Sequence, residues 1–331
     1  MVNGSDILLG KAEVIEKLEV DRCPPGTISR FFLHIVTDGM GMPVFMPILV
    51  ASGREKGKTL AVTAAVHGNE LNGIPVIQRM FKEIDPGSLR GTLVGIPVMN
   101  VPGFVQMQRH FNDGSDLNRI MPGRADGNIS EIYAHRWLER VLYQFEYLID
   151  LHTASFGRIN SYYIRANLND PVNAELAYLQ NAQIIVNSPA PDSTVRGTIT
   201  ERGGKAITLE VGDPNKFQKG MIRSGLTGLH NTLAYLGMTE GEIEPPETEP
   251  VICEYSYWLY TQEGGILQVL PGVADRVRKG ERIAFLRNIF GDLIKEYFAP
   301  EDGVVIVKPI DPVAQTGSRI LHLGELGYFG D

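Results

Sequence analysis

Short apolar runs recur along the chain, at Leu60–Val66, Leu93–Val98, Tyr147–Leu151, Ile184–Val186 and Ile207–Val211. Continuous runs of this length predict strands covered on both faces. Between them the apolar period lengthens. Ile74, Ile77, Met80/Phe81 and Ile84 share one helical face, as do Ala134, Leu138, Val141 and Phe145. Leu226, Leu229, Leu233 and Leu236 repeat the spacing, and Gly237 follows as a C-terminal cap. Strands alternating with helices predict an α/β domain with a mostly parallel central sheet flanked by helices. Ligands of such sheets bind beyond the carboxyl ends of the strands.

The pattern changes after "GEIEPPETEP", residues 241–250, a Pro- and Glu-rich stretch that reads as a linker. Beyond it come strand-like runs, "GGILQVL", "ERIAFL", "GVVIV" and "SRILHL", separated by turn residues, with no helical period. Residues 249–331 therefore read as a smaller all-β domain, and residues 1–248 as the main one. The N-terminal segment to residue 45 is attached to the main domain without a pattern of its own. The tail carries an internal echo: Val277, Gly280 and Ile283 answer Val313, Gly317 and Ile320. Two related hairpins packed together would produce it.

Composition narrows the class. The chain has 331 residues, 43% apolar and 21% charged, with a net charge of −8. These values suit a globular protein and argue against a general nucleic-acid binder, which needs a basic surface. The two cysteines, Cys23 and Cys253, lie far apart in no metal or redox spacing, which fits a reducing compartment. No secretory leader and no run long enough for a membrane span is read, so the expected location is cytoplasmic, with no membrane partner. A homo-oligomer stays open.

The chemistry sits where the apolar runs stop. The first ends in "HGNE", with His67 and Glu70 three residues apart; another ends in "DLHT", with Asp150 and His152. Two imidazoles and one carboxylate are a donor set for zinc that leaves a coordination position for water. Taken singly, each is equally a capped strand-end residue. Asp150 reads either as a group orienting an imidazole or as a polar strand terminus. Glu210 ends the run in "LEVG" and is either a proton acceptor with a raised pKa or a salt-bridged strand end. Asn118 and Arg119, in the loop "DGSDLNRIMPG", offer a neutral donor and a planar fork for a carboxylate, or else face solvent.

The ordered set "HGNE", "DLNR", "DLHT" and "LEVG" resembles the succinylglutamate desuccinylase/aspartoacylase family, a branch of the zinc carboxypeptidase clan. The resemblance spans roughly residues 45–240, and the linker and β tail fit the family layout. It implies a zinc carboxypeptidase-like catalytic domain holding one Zn2+ on His67, Glu70 and His152. It implies Glu210 as the base that deprotonates water and later protonates the leaving amine, and Asn118 and Arg119 as the grip on the amino-acid carboxylate. Arg109 is the nearest candidate for the arginine that polarises the scissile carbonyl, and Arg165 a further candidate substrate contact. The implied reaction is hydrolysis of a small N-acyl amino acid. A subgroup associated with ectoine breakdown, acting on N-acetylated diaminobutyrate, is also similar.

Two rivals remain. A metallocarboxypeptidase uses the same metal and base but needs an open cleft, whereas a β tail folded over the site would admit only small substrates. The tail also resembles a biotinyl/lipoyl-type half-barrel, so a carrier or binding protein is a second rival. Carriers need a lysine at the tip between halves, and here the tip reads Asn288–Asp292 without one.

Overall fold

A computed structural model describes residues 12–189 and 193–327. The expectation that no leader precedes the main domain falls partly on residues 1–11, outside that range. In chain order the strands are β1 (Glu13–Ile15), β2 (Thr27–Thr37), β3 (Pro43–Ser52), β4 (Glu55–Ala64), β5 (Arg90–Ile96), β6 (Tyr147–His152), β7 (Arg158–Asn160), β8 (Tyr163–Ala166), β9 (Ile184–Asn187) and β10 (Lys205–Glu210). After the 241–250 stretch, which has no regular structure, come β11 (Val251–Tyr260), β12 (Gly265–Val269), β13 (Arg276–Val277), β14 (Arg282–Arg287), β15 (Leu293–Phe298), β16 (Gly303–Pro309), β17 (Val313–Ala314) and β18 (Arg319–Leu326). The helices are α1 (Gly73–Glu83), α2 (Val101–Val105), α3 (Ile129–Arg140), α4 (Pro171–Tyr178), α5 (Val195–Glu201) and α6 (Lys219–Tyr235).

One large sheet runs in the order β1-β2-β3-β5-β4-β6-β10-β8-β9-β11-β18-β16-β13, with β7 paired to β16. It is mixed, so the expectation of a mostly parallel central sheet holds in part. Pairing is parallel across β5-β4-β6-β10, across β8-β9-β11 and between β1 and β2, and antiparallel at the other junctions. The reason is local. The parallel run is knitted by helical crossovers, but the long hairpin β2–β3 and the β7–β8 excursion insert strands in the opposite sense.

Strand alternation sorts the core into two layers. Leu60, Val62 and Ala64 pack with α1 and α6 on one face. Ala61, Val94 and Ile96 pack with Tyr133, Trp137 and Leu138 of α3 on the other. Ile74, Ile77, Met80 and Phe81 of α1 are buried, and α6 ends at Leu236–Gly237 with Gly237 at φ +66°, the cap its spacing predicts. The α3 stripe is shorter than expected: the helix stops at Arg140, and Val141 and Phe145 reach the core from a turn beyond it.

No helix occurs after residue 250 among the described residues. The tail strands divide. β11, β18 and β16 extend the large sheet from β9, while β15-β14-β12-β17 form a second sheet. The sequence echo is visible in space with one shift: Ala314 takes the buried place that answers Val277, and Val313 is exposed. Each half is a short strand, a left-handed glycine (Gly280 at +79°, Gly317 at +80°) and a long strand, and Val277, Ile283, Ala314 and Ile320 share one buried cluster.

Candidate functional site

β4, β6 and β10 are adjacent, so their carboxyl ends deliver side chains to one rim. His152 is the last residue of β6 and lies in register with Glu210, the last of β10. β4 ends one residue before Ala65, which adopts φ +52°, a left-handed turn costly for a residue with a Cβ. That turn throws the 66–72 loop back over the strand ends. Gly68 lets the loop press on the α2 segment: a Cβ there would lie 2.1 Å from the Gly103 carbonyl carbon and 2.2 Å from the Phe104 nitrogen. His67 and Glu70 are thereby fixed above β6.

His67, Glu70 and His152 are buried and offer ligand atoms all within 4.8 Å of one another. The two imidazoles are arranged alike. His152 turns Nδ1 to Glu70 Oε2 at 3.1 Å and Nε2 to Asp150 Oδ2 at 2.8 Å. His67 turns Nε2 to Asp116 Oδ1 at 3.0 Å, and its Nδ1 lies 2.8 Å from Glu70 Oε1. That last pair is too poorly aligned to hydrogen-bond, and Nδ1 of His67 has no hydrogen-bond partner among the described residues. A buried, unpartnered nitrogen pressed against a carboxylate is a costly arrangement. A divalent cation between them would relieve it, and imidazole and carboxylate are donors such a cation accepts. The three residues therefore could hold a metal.

The carboxylates around this group are strongly biased toward ionisation. Burial opposes charge on Glu70, yet His67 and His152 hold its carboxyl far below the usual range. Burial likewise opposes charge on Asp116, which His67 and Arg109 outweigh. Asp150, fully buried, also accepts from Thr63 Oγ1 at 2.7 Å, so of its two sequence readings the structure has the imidazole-facing one. Asp116, in the "DLNR" segment, was not singled out in the sequence. The signal was available, since a carboxylate two residues before Asn118 caps its turn through the Asn118 N–H at 3.0 Å.

The remaining predicted residues line the same cavity, about 470 Å³ in volume. Burial pushes the Glu210 carboxyl up, against the pull of His152; its Oε2 accepts from Asn160 Nδ2 at 2.9 Å. Arg109 Nη1 donates to Glu70 Oε1 and to Ser155 Oγ, both at 2.7 Å, and Nη2 to Asp116 Oδ2 at 3.2 Å. Asn118 Oδ1 accepts from the Val195 N–H at 2.8 Å, so its Nδ2 hydrogens remain to donate. Among the described residues, Arg119 is tied only to the Asn118 carbonyl, at 3.2 Å. Arg165 Nη2 contacts the Tyr163 hydroxyl at 3.2 Å. Sequence reasoning missed the rest of the wall: Arg158, Arg196, Trp258, Arg319 and His322 also line the cavity. The last three come from β11 and β18, where Trp258 and His322 are paired in register.

Residues 56–236 match the family model described as the succinylglutamate desuccinylase/aspartoacylase catalytic domain. The chain belongs to that family. The N-alpha-acetyl-L-2,4-diaminobutyric acid deacetylase of Halomonas elongata is 24% identical over 296 residues, 86% of each chain. The succinylglutamate desuccinylase of Pseudomonas paraeruginosa is 27% identical over 226 residues, 64% of each. In fold, the product-bound ectoine utilization protein EutE (DoeB) from Ruegeria pomeroyi is similar with a TM-score of 0.82 at 22% identity, covering 92% of this chain and 98% of that one. A succinylglutamate desuccinylase/aspartoacylase from Rhodobacter sphaeroides gives 0.83 at 22%, covering 94% and 98%. Among the described residues no helix is long and apolar enough to cross a membrane.

Proposed function

We propose that this protein is a zinc-dependent hydrolase that cleaves the amide bond of a small N-acyl amino acid. One observation carries the reading: both imidazoles present Nδ1 to Glu70 while an aspartate holds each Nε2. Outer carboxylates of this kind fix the ring and raise its basicity toward a metal. His67, Glu70 and His152 would hold the ion, which when bound polarises a carbonyl and lowers the pKa of water.

The chain's own groups supply the rest. Asn118 Nδ2 and the Arg119 fork bind the amino-acid carboxylate and so set the acyl bond over the strand ends. Glu210 takes a proton from the attacking water on the oxygen that Asn160 does not hold, and gives it to the departing nitrogen. Arg109 turns its guanidinium to the oxygen on which negative charge develops. Arg165 is a further substrate contact. Water and amide are consumed, and a carboxylate and a free amine are released.

The cavity volume suits a small molecule. Trp258, Arg319 and His322 close one wall, which favours a small substrate over the peptide that a carboxypeptidase must admit. The β14–β15 tip, Asn288–Asp292, exposes Ile289 and Phe290 and offers no lysine for a carried group. A catalytic unit over 1–248 and a β-rich unit over 249–331 resembling a biotinyl/lipoyl-type half-barrel remain our domain assignment, with the cytoplasm as the location.

Metal analysis paired with a panel of N-acetyl, N-succinyl and N-formyl amino acids tests the reading. About one zinc per chain is expected, as one three-ligand site implies. Glu210→Gln should keep the metal and lose at least about 100-fold in turnover. Loss of metal together with activity in that variant would reassign Glu210, and no hydrolysis of any member would refute the deacylase.

A further inference from the structure

Glu210 stands partly buried in the cavity wall and, among the described residues, makes no ion pair. A carboxylate held by no cation turns about its side-chain torsions unless neutral donors fix it. Two such donors reach it. Asn160 Nδ2 donates to Glu210 Oε2 at 2.9 Å, and the Tyr163 hydroxyl hydrogen-bonds to the same carboxylate.

Strand register supplies Tyr163. β8 runs antiparallel to β10, with Tyr163 directly opposite Glu210 and Arg165 opposite Thr208. Opposite residues of an antiparallel pair share a face, so phenol and carboxylate stand side by side. Arg165, two residues along the same face, donates from Nη2 to the Tyr163 oxygen at 3.2 Å. A guanidinium can only donate, so the phenol oxygen accepts that bond and its own proton is left for Glu210. Burial holds the Tyr163 phenol protonated, well above the usual tyrosine range, so the donor is kept. Tyr162 differs. It packs into another apolar cluster, and its buried hydroxyl has no hydrogen-bond partner among the described residues.

Asn160 arrives by a longer route. It is the last residue of β7 and pairs with Val307 of β16. Beside it, the Ser161 N–H and hydroxyl both donate to the Ile306 carbonyl at 3.0 Å. The Asn160 N–H turns to Asp213 Oδ1 at 3.3 Å, three residues beyond Glu210. Asn160 is therefore braced by β16 on one side and by the loop after β10 on the other.

We propose that Asn160 and Tyr163 are the positioning residues of Glu210: two neutral donors, from β7 and β8, hold its carboxylate toward the scissile bond, and β16 of the C-terminal unit takes part in turnover by carrying Asn160. This rests on the deacylase reading above and deepens it. Direction matters because proton transfer needs hydrogen-bond geometry, and misplacement by about 1 Å costs about 100-fold in rate.

Zinc-loaded wild type, Tyr163→Phe, Asn160→Ala, Asn160→Asp and Tyr162→Phe are compared on whichever N-acyl amino acid of the panel the wild type hydrolyses fastest. Tyr163→Phe and Asn160→Ala should each lose about 10- to 100-fold in kcat, with KM changed less than about 3-fold and zinc content unchanged. Tyr162→Phe loses an unpartnered hydroxyl from the same segment and should keep the wild-type kcat. Asn160→Asp keeps the shape of the side chain but faces Glu210 with a second carboxylate, so it should fall at least as far as Asn160→Ala. Wild-type kcat in Asn160→Asp would show a role in packing alone and overturn the proposal. So would wild-type kcat in Tyr163→Phe or Asn160→Ala, or a loss carried by KM or by missing zinc. Should the wild type hydrolyse no compound, the deacylase reading fails, and crystal structures test the positioning by itself. The Glu210 carboxylate should lie against Asn160 and Tyr163 in the wild type and swing away in the double variant Asn160→Ala/Tyr163→Phe; one carboxylate position in both overturns it.

Discussion

Replacing Asp150 by Asn changes one charge and almost no volume. The side chain is fully buried, with Oδ1 accepting from Thr63 Oγ1 and Oδ2 against His152 Nε2. An asparagine fits the same space. Its oxygen can face the imidazole N–H, and the Thr63 hydroxyl can rotate to accept from the new amide. What is lost is negative charge, 2.8 Å from the ring and shielded from water. If His152 is a metal ligand, it then becomes a weaker base at Nδ1. Loss of such an outer carboxylate weakens metal affinity about 10- to 100-fold, or about 1.4–2.7 kcal/mol. Competition against a chromophoric chelator at fixed pH reads this directly. Thermal unfolding at fixed free zinc reads it again, because weaker binding removes an equal part of the metal's stabilisation. Thr63→Val, which removes only the hydroxyl, should weaken the metal far less. Unchanged zinc affinity in a folded Asp150→Asn would refute the chain from Asp150 through His152 to the ion.

Asp116→Asn should weaken the metal by a similar factor through His67, and should also raise KM, because Arg109 loses one of its carboxylates; chelator competition and steady-state kinetics separate the two. Gly68→Ala drives a Cβ into the backbone of Gly103 and Phe104 and should cost at least about 1–3 kcal/mol in denaturant unfolding. Arg119→Ala should raise KM more than it lowers kcat, and an unchanged KM would move the carboxylate grip elsewhere. His322 bears on stability against pH. Its folded pKa, about 3, lies below the unfolded value near 6.5, so protonation favours unfolding, and stability present above about pH 6.5 is lost as pH falls toward 3. Between pH 7.5 and 5 the wild type should lose about 2 kcal/mol more than His322→Gln, measured by urea unfolding of the metal-loaded protein.

The central strands and three helices were legible because their apolar periods are clean. β4, β6 and β10 run apolar on both faces, and α1 and α6 carry one stripe each, so period alone separates them. The hairpin β2–β3 was not read. In β2 only Leu33, Ile35 and Val36 are buried, while Phe31 and Phe32 are half covered on opposite faces, so alternation is blurred. α4 and α5 were missed because each is at most two turns long, too short for a stripe to repeat. Their caps were present all the same, Asp170 before Pro171 and Thr194 before Val195. The mixed sheet could not follow from period at all, since strand direction depends on whether a connection crosses over or doubles back.

The site divides along the same line. His67, Glu70, His152 and Glu210 lie at ends of neighbouring strands or one loop beyond, and a strand that stops on a polar residue announces its rim in one dimension. Arg158, Trp258, Arg319 and His322 reach the cavity only because β7 pairs with β16, more than a hundred residues further along the chain, while β18 pairs with both β16 and β11. No spacing encodes that. The consequence is chemical as well as topological. The residues legible in sequence are those that any metal-dependent amide hydrolysis on this sheet would need, and they leave the substrate open. The wall they leave open is built by β7, β11 and β18, so its Arg158, Trp258, Arg319 and His322 are set by strand pairing that no local pattern announces.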